Sequence, residues 1–129
     1  ASDREYMATL PNYHEKLQIS EQMKKEGRGE DLMPRDALFD NIPITANRYH
    51  SLAARLDTDD MFSSDLTDSE FHDVLGHIQV PTLLAISGKD EFVPSCVDIK
   101  LLAQRMKKAI KNSEICFIED AGHFLNTPQ

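Results

Sequence analysis

Tryptophan is absent from the 129 residues, and cysteine occurs only twice, as Cys96 and Cys116. Two thiols cannot build a disulfide framework, so a reducing intracellular compartment is the preferred setting and packing must supply the stability. No apolar run approaches the roughly 18 residues that a membrane-crossing helix needs. The start of the chain also lacks the charged-then-apolar pattern of a secretory signal. Positive charge is scarce: 14 Lys and Arg stand against 22 Asp and Glu, and the net charge of -8 argues against nucleic acid and anionic membranes as partners. Cationic or neutral small molecules remain open. These absences lead to the expectation of a cytoplasmic protein that binds neither nucleic acid nor membrane. What is present, 40% hydrophobic and 28% charged residues, is the composition of a globular domain rather than a disordered or fibrous chain. The first residue, Ala1, is not methionine, so the chain is expected to follow processing or to be a piece of something longer.

Two unlike parts follow one another. Residues 1–78 carry helical signals and no convincing strand. "SDRE" fits a capping box with Ser2 as N-cap and Glu5 three residues on; "NYHE" from Asn12 repeats that logic ahead of a helix that Gly27 should end. Tyr49, Leu52, Ala53 and Leu56 keep the spacing of one helix face, as do Phe71, Val74, Leu75 and Ile78 after the capping box "TDSE". Loops marked by "GRGED", "NIPIT" and "LDTDDMFSS" separate three or four short helices, and no internal repeat is visible.

The period changes over residues 79–129. "VPTLLAIS" is continuously apolar, the pattern of a strand buried on both faces of a parallel sheet. Ser95 is placed to cap a helix running to about Ile110, with Asp98 near its start and Arg105, Lys107, Lys108 and Lys111 near its end, where they complement the helix dipole. "SEICFIE" is a second strand, with Cys116 expected in the core. Strand, helix, strand makes one βαβ unit. Two parallel strands cannot shield both faces of such an apolar run, and their outer edges leave backbone groups unpaired. The chain is therefore expected to be the C-terminal part of a larger doubly wound sheet whose other strands come from an absent N-terminal segment.

In open α/β sheets, functional groups gather at the carboxyl ends of the strands. Asp90 in "SGKDEFVP" follows the first strand, and His123 in "EDAGHFL" follows the second. Parallel neighbours bring both loops to one rim, where a carboxylate can hold an imidazole in the tautomer a general base requires. Against this stand plainer readings: Asp90 as a turn or cap residue, Glu91 as the acid in its place, and His123 in a packing or surface role. His14, His50, His72 and His77 show no partner pattern, and the five-residue separation of His72 and His77 misses the spacing of two ligands on one helix face. The acidic stretch "DTDDMFSSDLTD" is read as a solvated loop with helix caps. A calcium loop starting at Asp57 would put Met61 at its fifth position, Phe62 where glycine is needed and Asp68 where glutamate is needed. Cys96 near a helix start is a weak candidate nucleophile, because it follows the acid instead of forming its own elbow. Ser87 and Gly88 imitate part of a nucleophile elbow without the helix that should follow. "GRGE" has neither the spacing nor the preceding strand of a phosphate loop.

The order of acid then histidine, each after a strand, is that of the α/β hydrolases, in which a serine comes first. "PTLLAISGKDEFVP" resembles the acid segment of that superfamily, and "EDAGHFL" resembles its histidine loop. More narrowly, "SDREY" and "PITANRYHSLAARLDTDDMFSSDL" resemble a fungal family of α/β hydrolases, formerly a domain of unknown function, that includes intracellular siderophore esterases. The resemblance touches most of the chain but not strands one to six or the G-x-S-x-G elbow, which lie outside it. It implies an α/β fold made of a helical cap (1–78) and the last βαβ unit of the hydrolase core (79–129). It implies Asp90 and His123 as the catalytic acid and base, a serine supplied by an N-terminal part of the same protein, and no cofactor or metal. The implied reaction is hydrolysis of a small-molecule ester, more narrowly a hydroxamate siderophore ester cut to release iron. The competing functional class is a non-catalytic binding module that keeps the hydrolase architecture.

Overall fold

The computed structural model describes residues 3–125, which form two compact units, one spanning Asp3–Asp60 and the other running from Met61 onward. The first holds α1 (Asp3–Met7), α2 (Tyr13–Lys25) and α3 (Ala46–Ala53), with two 3-10 turns, Arg35–Ala37 and Phe39–Asn41, between α2 and α3. Ser2, expected to cap α1, lies outside the described residues. At the start of α2 the expected Asn12 side-chain cap does not form. Asn12 takes a left-handed conformation, φ 62°, which asparagine tolerates but which departs from the extended geometry a capping side chain uses. Its carbonyl still accepts the Lys16 N–H at 3.0 Å. The other end behaves as expected: Gly27 has φ 72°, and its N–H bonds to Lys24 O while that of Arg28 bonds to Met23 O. That pair of bonds is a Schellman stop, which requires the left-handed residue glycine provides.

Thr45 caps α3 by accepting the Arg48 N–H. Tyr49 and Ala53 are buried together with Met7, Met23, Met33 and Ile44. Leu56, expected on the same helix face, is instead exposed. The helix ends at Ala53, Leu56 itself has φ 59°, and its N–H bonds to the Asp60 carboxylate at 2.8 Å. The same carboxylate, fully buried, forms a 3.0 Å ion pair with Arg4 of α1.

The second unit contains α4 (Asp68–Leu75), β1 (Thr82–Ser87), α5 (Ile99–Ala109) and β2 (Ser113–Ile118). The Thr67–Glu70 capping box opens α4 with both of its hydrogen bonds. Phe71 and Leu75 then pack with Leu66, Leu102, Met106 and Ile110, so α4 shares a core with α5. Arg105 of α5 stitches the two: its guanidinium lies 4.8 Å over the Phe71 ring, bonds Asp68 at 2.9 Å and donates to the carbonyls of Ser64 and Leu66.

The N-cap of α5 is Asp98 and not Ser95. A turn closed by Val97 N–H to Pro94 O occupies the earlier residues, and the Asp98 carboxylate accepts the N–H groups of Lys100 and Leu101. The helix delivers the chain to β2, which pairs parallel to β1 in the register Thr82↔Ser113 to Ser87↔Ile118. Among the described residues the sheet has these two strands. Burial alternates along them, so within this chain one face of the sheet is covered and the other is open. Leu84 turns toward the core shared by α4 and α5, whereas Leu83 is 65% exposed and Ala85 is exposed. Cys116, paired in register with Ala85, lies on that open face and is exposed within this chain. Among the described residues, no helix is long and apolar enough to cross a membrane.

Candidate active site

The loops leaving β1 and β2 are joined along their length. The ladder continues past the strands with Gly88 N–H to Ile118 O and Lys89 N–H to Ala121 O, both 2.9 Å. Ser87, buried at the end of β1, donates its hydroxyl to Gly122 O at 2.8 Å, and Lys89 pairs with Asp120 at 2.5 Å. Glycine at 88 answers to a steric demand, because a Cβ there would lie 2.3 Å from the Glu119 carbonyl oxygen.

These contacts fix the distance between the two residues singled out from the sequence. Asp90 folds its loop into an Asx turn, with one carboxylate oxygen accepting the Phe92 N–H at 3.0 Å. His123 places Nδ1 at 3.1 Å from both Asp90 oxygens. A carboxylate accepts and does not donate, so the proton of this contact sits on Nδ1, and Nε2 is left as the basic nitrogen. Phe92 and Phe124 make T-shaped contacts with the imidazole, with centroids at 4.8 and 5.2 Å. Asp90 and His123 line a cleft of about 350 Å³ together with apolar groups that include Phe62, Leu84, Ile86 and Leu125.

Glu91 does not take Asp90's place at the ring. Its carboxylate accepts the backbone N–H of His123 at 3.0 Å. Hydrogen bonds from its own N–H and then from that of His123 hold the Glu91 carboxyl below its usual range. Lys89 likewise lowers Asp120, chiefly through their hydrogen bond. Nothing in the sequence pattern marked Glu91 for this role, because the bond is made to main chain 32 residues away.

Of the histidines given no partner from sequence, His50 has one. Its Nδ1 lies against the Asp57 carboxylate and 2.9 Å from Lys24 Nζ in the helical unit. Asp57 stands past the end of α3, beyond the reach of any helix-spacing rule. Cys96 is exposed in the loop ahead of α5. Among the described residues, no three His, Cys, Asp or Glu side chains converge in a way that could hold a metal ion.

The arrangement of the parallel βαβ unit can be compared with a solved structure. The chain superimposes on the siderophore hydrolase EstB from Aspergillus fumigatus with a TM-score of 0.74 and 22% identity, covering 95% of this chain and 48% of that one. The fold is thus α/β, a portion of the α/β-hydrolase architecture. The whole chain, residues 1–129, matches the family described as "Protein of unknown function (DUF1749)", and it belongs to that family. Among curated proteins it is similar to the UPF0613 protein PB24D3.06c of Schizosaccharomyces pombe, at 29% identity over 85% of this chain and 40% of that protein. The chain therefore spans about two fifths of this relative's length and about half of the solved hydrolase.

Proposed function

We propose that this chain supplies the acid and the base of a Ser–Asp–His triad in a serine esterase. The observation that carries the reading is the contact of His123 Nδ1 with both Asp90 oxygens at 3.1 Å, on loops that leave adjacent parallel strands. The serine belongs to an N-terminal part of the same protein, present as a separate, cleaved or continuous segment, which also completes the sheet at the free edge of β1. Its hydroxyl oxygen attacks the ester carbonyl while His123 Nε2 takes the hydroxyl proton. The bond to the leaving alcohol then breaks as the same nitrogen returns that proton. Water repeats the sequence on the acyl-enzyme. Asp90 orients the imidazole throughout and stabilises its protonated form. Backbone N–H groups of the N-terminal part form the oxyanion hole. The helical part, residues 1–78, is read as the lid region of such an enzyme.

The substrate assigned is a hydroxamate siderophore ester, cleaved in the fungal cytoplasm to release iron. Support comes from the structural likeness to a protein named as a siderophore hydrolase. The chain's net charge of -8 also suits a ligand bearing free amines. The deciding experiment takes the longest natural form of the protein and compares its turnover of a siderophore ester with that of a simple acyl ester. It also searches that form by mass spectrometry for a G-x-S-x-G segment labelled by a serine-reactive phosphonate. Siderophore ester turnover well above that of the acyl ester, with label on that serine, is the expected result. A protein that folds and stays unlabelled is a non-catalytic module, and the esterase reading then fails.

A further inference from the structure

We infer that Glu91 is a positioning residue for the catalytic histidine: its carboxylate grips the main chain of His123 and thereby holds the imidazole at Asp90. This rests on the esterase reading above and adds a part to it.

The argument begins with what the sheet leaves undone. Strand pairing carries the two loops side by side only as far as Lys89 and Ala121. Beyond that point the histidine loop is held to the acid loop by side chains. Ser87 anchors Gly122 O, and the next anchor falls on His123 itself, where Glu91 accepts the N–H at 3.0 Å. Adjacent residues on one turn thus seize the two ends of the histidine, Asp90 the ring and Glu91 the backbone. A ring fixed only through Nδ1 can pivot about its Cα; fixing the amide removes that freedom and aims Nε2, which matters because misplacement by about 1 Å can cost orders of magnitude in rate.

Two substitutions separate the grip from the charge. Glu91→Gln keeps an oxygen acceptor and loses the charge, whereas Glu91→Ala loses both. In the complete hydrolase, Glu91→Ala should lower kcat roughly tenfold at unchanged KM, and Glu91→Gln should stay within about twofold of the parent. Exchange of the His123 amide with deuterated water, read by NMR, should be slow in the parent and in Glu91→Gln and fast in Glu91→Ala. Glu91 is exposed, so neither change threatens the core. Unaltered kcat in Glu91→Ala, an equal loss in both variants, or a His123 amide equally protected in all three would overturn the inference. The amide readout decides it even without turnover. Retained turnover in Asp90→Asn would instead sink the esterase reading, so the two failures are distinguishable.

Discussion

His123 Nδ1 stands 3.1 Å from both oxygens of Asp90, although 33 positions separate them along the chain. A ring nitrogen bridging the two oxygens is held in one tautomer. Removing a single oxygen acceptor therefore disturbs the proton's location more than the ring's position. On the proposed esterase function, Asp90→Asn in the full-length protein is expected to reduce kcat by about 10⁴-fold, and His123→Ala by at least as much. Circular dichroism of both variants should match the parent, because neither side chain belongs to the packed core. Steady-state ester hydrolysis makes the check, and parent-like activity in either variant removes that residue from the mechanism.

The close approach of Gly88 to Glu119 yields a second expectation. A methyl group at 88 would meet a carbonyl oxygen at 2.3 Å, so the acid loop must move away from the histidine loop to admit it. Gly88→Ala should destabilise the second unit by about 1–3 kcal/mol, the usual range for overpacking. It should also lower turnover without changing either member of the pair. Urea titration together with kinetics reads both effects; a variant of parental stability and rate would show that the loops have slack.

The Arg4–Asp60 pair is the most deeply buried ionic contact described in the helical unit, and the Asp60 side chain has no exposed surface. Deleting Asp60 takes a buried ion-pair partner from Arg4 and removes the acceptor of the Leu56 N–H. Asp60→Ala should cost about 3–5 kcal/mol, seen as a lower denaturation midpoint. Replacing Arg4 and Asp60 together by apolar residues of similar volume should recover much of that loss. A single variant as stable as the parent would contradict the burial.

Tyr49 sets a limit on the alkaline side. Burial of its phenol raises its pKa from 10.0 to about 12. A folded-state pKa above the unfolded value means that the neutral form is favoured in the fold. The stabilisation is therefore complete below pH 10 and declines as pH rises toward about 12. Tyr49→Phe should flatten that alkaline decline while leaving stability near neutrality within about 1–2 kcal/mol. Thermal melts across that window give the comparison; identical alkaline profiles would show that Tyr49 does not govern it.

Much of the second unit could be read from residues alone, because its signals are local. An unbroken apolar run, a Thr67–Glu70 capping box and a helix-length gap before "SEICFIE" each determine their own neighbourhood. The meeting of Asp90 and His123 was legible for a topological reason: successive parallel strands deliver their C-terminal loops to one rim. What escaped depended on choices among local equals or on distant main chain. Ser95 and Asp98 are both competent caps, and only the turn at Pro94 decides for Asp98. Asn12 has a capping side chain but adopts a backbone that cannot use it. Glu91 and His50 acquire their partners across loops, where no spacing rule operates. Cys116 stands on an apolar strand, and strand composition alone does not tell which of its faces this chain itself covers.

That open face gives Cys116 a further use. A thiol pointing outward between strand neighbours reacts with an alkylating reagent at a rate set by whatever lies over it. Alkylation of Cys116 therefore works as a gauge native to the sequence: rapid in the 129-residue chain by itself, and slowed in proportion as another polypeptide is laid across the sheet. Cys96, exposed in its loop outside the strands, is the internal standard for the same measurement.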